Sequence, residues 1–179
     1  MRSRRAGGRS ARPLNCGVRR QPLNVVEKFA SVYRRGEHYF VHANAKTADG
    51  LWVASEPSAL LAIDSTPQAL GEVVLNALAS GGLDVATPSS GGYRAMHAPL
   101  LAVAKVASWT ALQRSASFCG VWHRGVEIVV EPTLNGGTHG DKRGYHPLPE
   151  HAVRADVHCS AADLGVAVRS AFERCQGVA

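Results

Sequence analysis

Val121-Trp122-His123-Arg124-Gly125-Val126-Glu127-Ile128-Val129-Val130 decides how this chain folds. Two runs of β-branched and aromatic residues flank Arg124-Gly125, the composition of a β-hairpin with a tight turn at the glycine. Val32-Tyr33-Arg34-Arg35-Gly36-Glu37-His38-Tyr39-Phe40-Val41 repeats the pattern 89 positions earlier (121 − 32), with valine, aromatic, arginine and glycine all in register. Each hairpin is followed at a distance by a helical pattern: Thr66 to Val74 after the first, Ser160 to Val168 after the second, 94 positions apart (160 − 66). The second unit is therefore five residues longer between hairpin and helix (94 − 89), a gain that fits its long loop. Each unit reads as strand, turn, strand, loop, extended segment and helix. The expected fold is α+β: mostly antiparallel sheet packed with helices, in two tandem strand-hairpin-helix repeats over about residues 31–81 and 120–176. Two units are too few for a solenoid. They are expected to form one compact domain over residues 21–179, either sharing a sheet or packing face to face.

A chain of 179 residues, 45% of them apolar, is long enough for one domain with a proper core. No apolar run approaches the length of a membrane span, the longest lying around Ala98 to Ala104. The formal charge of +6 is concentrated at one end: residues 1–20 hold seven arginines and no acid, which leaves 13 basic against 14 acidic residues elsewhere, a net −1. That arm is expected to be disordered, because Arg, Gly and Ser bury too little apolar surface to order a segment. It lacks the apolar centre of a secretory signal and resembles a transit peptide in its arginines. A solvated tail is favoured over an RNA-binding arm, since no aromatic residues are interleaved with the charges. Cys16, Cys119, Cys159 and Cys175 form no C-x-x-C, so reduced thiols and a cytoplasmic setting are expected.

Along the chain, Asp49-Gly50 is a turn leading into a strand Leu51–Ala54, which Pro57 is expected to end before a short apolar element Ala59–Ile63. Ser65 or Thr66 caps the first helix, with Pro67 in its first turn and Gly81-Gly82 at its end. Gly71 and Gly165 occupy the same turn of the two helices. Glycine inside a helix costs about 1 kcal/mol relative to alanine, so a close helix-to-sheet contact is expected at both. Leu83 to Gly92 reads as a flexible loop, Ser108 as the cap of a short helix through Arg114, and Val153 to His158 as an alternating strand. The last helix, Ser160 to Cys175, sets Leu164, Val168, Ala171 and Phe172 on one face.

Catalytic signatures are scarce. No G-x-S-x-G or H-E-x-x-H occurs, and no phosphate loop. His38 and His42 are four apart, a ligand spacing on a helix but one of roughly 13 Å along a strand. The strongest catalytic suspect is His139-Gly140-Asp141-Lys142-Arg143, a histidine and two cations in a glycine-rich loop, the makings of a metal-free ribonuclease. A loop of that composition is more often simply solvated. Trp52, Trp109 and Trp122 read as core or hairpin packing in preference to exposed anchors. No cofactor or metal site is expected.

The segments Leu51-Trp52-Val53-Ala54-Ser55-Glu56-Pro57, Ala69-Leu70-Gly71-Glu72-Val73-Val74, Ser108-Trp109 and Leu164-Gly165 with Ala167-Val168 resemble the CdiI immunity proteins of bacterial contact-dependent growth inhibition. The likeness spans Ser31 to Cys175 and leaves out the basic arm. It implies a non-catalytic cytoplasmic protein that binds, one to one, the C-terminal toxin domain of a cognate CdiA effector. Such toxins are in many cases nucleases, often acting on tRNA, and the inhibitor excludes their substrate. No membrane association or direct nucleic-acid binding is then expected. A nuclease groove is positive, so exposed acids are the first candidates for toxin contact: Asp49, Glu56, Asp84 and Asp141, with Tyr93, Arg94, Arg143 and Tyr145 as anchors. Two other functions compete: a small nuclease or hydrolase using the His139 to Arg143 loop, and an RNA-binding module using the basic arm.

Overall fold

A computed structural model describes residues 27–82 and 85–177; the side chains of residues 90, 91, 93 and 94 fall outside that description, as do the basic arm and Asp84. The first hairpin is β1 (Lys28–Arg35) and β2 (His38–Lys46), followed by β3 (Trp52–Ala62) and helix α1 (Pro67–Ser80). Helices α2 (Ser90–Val103) and α3 (Trp109–Ser115) lead to the second hairpin, β4 (Ser117–Arg124) and β5 (Glu127–Asn135). Then come β6 (Tyr145–Pro147), a 3-10 turn Pro149–His151, β7 (Val153–Asp156), helix α4 (Ala161–Phe172) and β8 (Gln176–Gly177). Both Arg-Gly turns form as the sequence implies, with Gly36 at φ +53 and Gly125 at φ +64, where a side chain would be strained.

The two hairpins share one sheet. Its order is β3-β2-β1-β4-β5-β6, with β7 and β8 also paired to β5, and every pairing is antiparallel except that of β8. The expected α+β class, an antiparallel sheet packed with helices, is what the chain adopts. The hairpins join through β1 and β4, where Ser31 faces Gly120, flanked by Ala30 opposite Val121 and Val32 opposite Cys119.

Alternation along the strands sends two different sets of side chains to the two faces. On one face Ala30, Val32, Tyr39, Val41, Cys119, Val121, Ile128 and Val130 meet Leu70, Val74 and Leu78 of α1 and Leu164, Val168 and Phe172 of α4. Each fully buried Leu, Val or Phe there contributes about 1.5–3 kcal/mol relative to exposure. The helices start where their caps dictate: Thr66, Ser108 and Ser160 each accept a hydrogen bond from the backbone N–H three residues on. On the opposite face Tyr33 and Phe40 pack with Leu100 and Ala104 of α2 and its following turn and with Leu112 of α3. Cys119 is buried in the first of these cores, its sulfur 3.5 Å from that of Cys175.

Three local expectations are corrected. Pro57 does not end β3: a bulge sets Ala43 opposite Ser55 and His42 opposite Ser58, leaving Glu56-Pro57 unpaired on an edge strand that then continues to Ala62. The Ser-Gly-Gly of the expected loop is instead the first turn of α2, and Pro99 lies within that helix. Gly71 and Gly165 serve a helix-to-helix contact, not a helix-to-sheet one. A Cβ on Gly71 would collide with the carbonyl oxygen of Ala161, and one on Gly165 with that of Pro67. Each glycine thus admits the first residue of the other helix.

Candidate functional site

Among the described residues, the side chains on the α2/α3 face of the sheet leave a cavity. Phe29, Ser31 and Tyr33 of β1 and His42 and Asn44 of β2 form the base of a cavity of about 400 Å3. Trp52 of β3, Met96 and His97 of α2, Trp109 and Gln113 of α3, Phe118 of β4 and Tyr145 of β6 wall it. Ser31, Tyr33, His42 and Asn44 are buried, whereas the Trp52, His97, Trp109 and Tyr145 walls are half-buried. The sequence produces this arrangement because the strand positions that alternate with Ala30, Val32 and Val41 carry aromatic and polar side chains where a fully packed face would carry aliphatic ones.

His42 is the unusual member. It is 2% exposed. Its Nδ1 lies 2.8 Å from the carbonyl oxygen of Ala43, which fixes Nδ1 as the donor and leaves Nε2 as a lone-pair acceptor. Nε2 has no hydrogen-bond partner among the described residues, and neither does Nδ1 of His97. Burial holds the His42 imidazole down at about 4, with His97 pushing the same way and the Ala43 bond opposing; burial also lowers His97. Both rings are therefore neutral near pH 7. Burial raises the Tyr33 and Tyr145 hydroxyls, keeping them protonated, and Tyr145 donates to the carbonyl of Ala116 at 3.1 Å. Asn44 donates to Ser31 Oγ at 3.0 Å. Among the described residues no Asp, Glu, Lys or Arg lines the cavity.

Beside it an aromatic rim carries the charge. Phe29 stacks on Trp122 with ring centres 4.0 Å apart, and Trp52 stands edge-on to both at 5.7 Å. Lys46 lies over Trp52 and Arg124 over Trp122, and Glu27 bridges the two cations at 3.6 and 2.8 Å. The tryptophans pack against neighbouring rings, as expected, yet remain partly open to solvent.

Of the residues singled out from the sequence, Tyr145 lines the cavity itself. Asp49 is exposed in the β2–β3 turn three residues before Trp52, and accepts a hydrogen bond from the Thr87 hydroxyl. Glu56 is exposed two residues past Ala54 and accepts from the Ser58 N–H at 2.8 Å. Asp141 and Arg143 are exposed in the β5–β6 loop just ahead of Gly144 and Tyr145. Asp84 and the side chains of Tyr93 and Arg94 lie outside the described residues. The placed residues occupy segments that lead into the cavity wall, but no hydrogen bond or ion pair joins one of them to another among the described residues. His139 is exposed in the same loop, with Lys142 and Arg143 exposed beside it. Among the described residues no three His, Cys, Asp or Glu side chains stand close enough to hold a metal ion, and no helix is long and apolar enough to cross a membrane.

The family model of the CDI immunity protein, CdiI, matches residues 28–175, which take in every element from β1 to α4. The chain belongs to the CdiI family. Solved structures that share the fold of this CdiI chain include the following two. A protein of unknown function from Neisseria meningitidis aligns with a TM-score of 0.67 at 16% identity, over 84% of this chain and 96% of its own. A chain of a CdiA-CT/CdiI toxin and immunity complex from Yersinia pseudotuberculosis aligns with a TM-score of 0.69 at 17% identity, over 85% of this chain and 99% of its own. At such identities the likeness is one of fold. No curated protein matches the chain by sequence. The resemblance read from the strand and helix motifs is borne out. What sequence reasoning missed in this CdiI chain is the cavity and its histidines, because His42 was weighed only as a metal ligand. The signal was present: Ser31, His42 and Asn44 are polar residues on central strands, where both faces are covered.

Proposed function

We propose that this CdiI chain is the immunity partner of a CdiA C-terminal toxin, that it binds the toxin one to one in the cytoplasm of the producing cell, and that it covers the active site or substrate groove. The family match over residues 28–175 carries this reading. The Yersinia relative, a chain of a toxin and immunity complex, supports it. We assign the toxin to the nucleases, with tRNA as the leading substrate. A groove built for phosphate is positive and is met by carboxylates with aromatic or arginine anchors. Asp49, Glu56, Asp84 and Asp141, with Tyr93, Arg94, Arg143 and Tyr145, are the proposed contacts, the acids matching the toxin's cations.

The test is co-expression with the C-terminal domain encoded by the neighbouring CdiA reading frame. Survival of the cells and a co-purifying complex are expected, and purified chain should stop RNA degradation by the toxin in vitro. Death of the cells with no complex would remove the immunity reading. The double reversal Asp49→Lys with Asp141→Lys should weaken toxin binding by roughly tenfold or more, mainly through slower association. An unchanged affinity would take those loops out of the interface.

A further inference from the structure

We propose that Cys119 and Cys175 are a redox pair, which a hydroperoxide closes into a disulfide that fastens the chain just past α4 to the middle of the sheet. The proposal concerns this chain alone and does not depend on the immunity reading.

The two cysteines stand 56 positions apart in the sequence, yet their sulfurs are 3.5 Å apart. A disulfide needs about 2.05 Å, so the sulfurs have to close by about 1.5 Å. Cys119 is the fixed partner. It is fully buried on β4, an interior strand, with Val32 of β1 on one side and Pro132 of β5 on the other. Cys175 is held less. It lies past the end of α4, its N–H donates to the Phe172 carbonyl at 3.3 Å, and β8 beyond it pairs with β5 at two positions. Cys175 is also half-buried, so an oxidant arriving from solvent meets it before Cys119.

The pair is polarised in the direction the chemistry needs. The hydrogen bond from Cys119 brings the Cys175 thiol down to about 7 against the opposing effect of burial, with the Thr133 backbone and the Arg34 guanidinium helping. Burial and that same bond hold Cys119 well above the ordinary thiol range. Cys175 is therefore substantially thiolate near pH 7, and the thiolate is the nucleophile. It attacks one oxygen of hydrogen peroxide; the O–O bond breaks, hydroxide leaves, and Cys175 becomes a sulfenic acid. The Cys119 sulfur then attacks the Cys175 sulfur. The S–O bond breaks, and the oxygen departs as water with the Cys119 proton. Two thiols are oxidised while one peroxide is reduced to two waters. A small thiol reverses the bond by exchange. Cys159 is half-buried too, but burial, Asp163 and Asp156 raise its thiol, which makes it the slower site.

Peptide mapping and thermal unfolding of the full chain, reduced and then treated with hydrogen peroxide at pH 7, test the pair. An intramolecular link between Cys119 and Cys175 is expected, with Tm raised by about 5 °C or more and restored by dithiothreitol, because the bond closes a long loop of the unfolded chain. Cys175 should be oxidised roughly tenfold faster than Cys159. In Cys119→Ala the second sulfur is gone, so a Cys175 sulfenic acid should accumulate and be trapped by dimedone. In Cys175→Ser, Cys119 should stay a thiol. The wild-type map decides even where a variant does not fold. A peroxide dose that oxidises Cys159 and leaves Cys175 a thiol, or that links Cys175 to another cysteine or carries it to the sulfinic acid, would overturn the pair. A Cys119 to Cys175 link that leaves Tm unchanged or lower would overturn the fastening.

Discussion

His42 should set how this protein responds to acid. Its ordinary pKa of about 6.5 falls to about 4 in the fold, chiefly through burial. As pH falls the unfolded chain takes up the proton first, so the neutral ring's contribution is complete above about 6.5 and is lost progressively between about 6.5 and 4. The shift corresponds to stability on the order of 3 kcal/mol across that window. His97, also lowered by burial, acts in the same direction. Urea unfolding measured from pH 7 to pH 4 should show wild type losing more stability than His42→Asn, the excess confined to that range. Parallel pH profiles would mean that the imidazole is solvated. None of this is legible from residue type alone. A histidine on a strand is exposed or buried according to which strands flank it, and β2 is an interior strand only because β1 and β3 pair on either side.

Helices α1 and α4 show how far a local pattern can be read. Their caps and apolar faces follow from Thr66, Ser160 and the spacing of Leu70, Val74, Leu164 and Val168, while α4 stops at Phe172, three residues short of the expected Cys175. The glycine in each second turn signalled a close backbone approach, but a glycine does not say what approaches; here it is the first residue of the other helix. Gly71→Ala and Gly165→Ala oppose two effects. Alanine raises intrinsic helix stability by up to about 1 kcal/mol, while its methyl must push the helices apart and loosen the core beneath. The clash is with backbone, which cannot rotate away, so each variant should be destabilised by about 1–3 kcal/mol net, read from urea unfolding. Stabilisation would show that the helices separate freely. Helix α2 was hidden for a different reason: a Ser-Gly-Gly first turn and an internal proline contradict helix rules, and among its described residues Leu100 alone is buried in the core.

At the scale of the molecule, the class was legible because both hairpins announce themselves locally. Their union was not: β1 and β4 pair across an intervening stretch that includes three helices, and no local pattern encodes such a pairing. The symmetric register about Ser31 and Gly120, positions as far apart as the hairpins themselves (120 − 31 = 89), supports the proposal that the two halves are copies of one unit. Charge is distributed unevenly over the whole. Seven of the 20 basic residues lie in residues 1–20, outside the stretch that matches the family, and the remainder is close to neutral. If immunity resides in the matched region, deleting residues 1–20 should leave protection from the toxin, complex affinity and thermal unfolding unchanged. If the arm instead serves RNA, the intact chain should bind RNA with an affinity that falls steeply with salt, and the deletion should abolish it. Retained protection with no salt-dependent RNA binding by the intact chain assigns function to the sheet and its helices; loss of protection on deletion would make the arm part of the toxin interface, and its arginines would then have to meet acidic groups on a partner whose groove was taken to be positive.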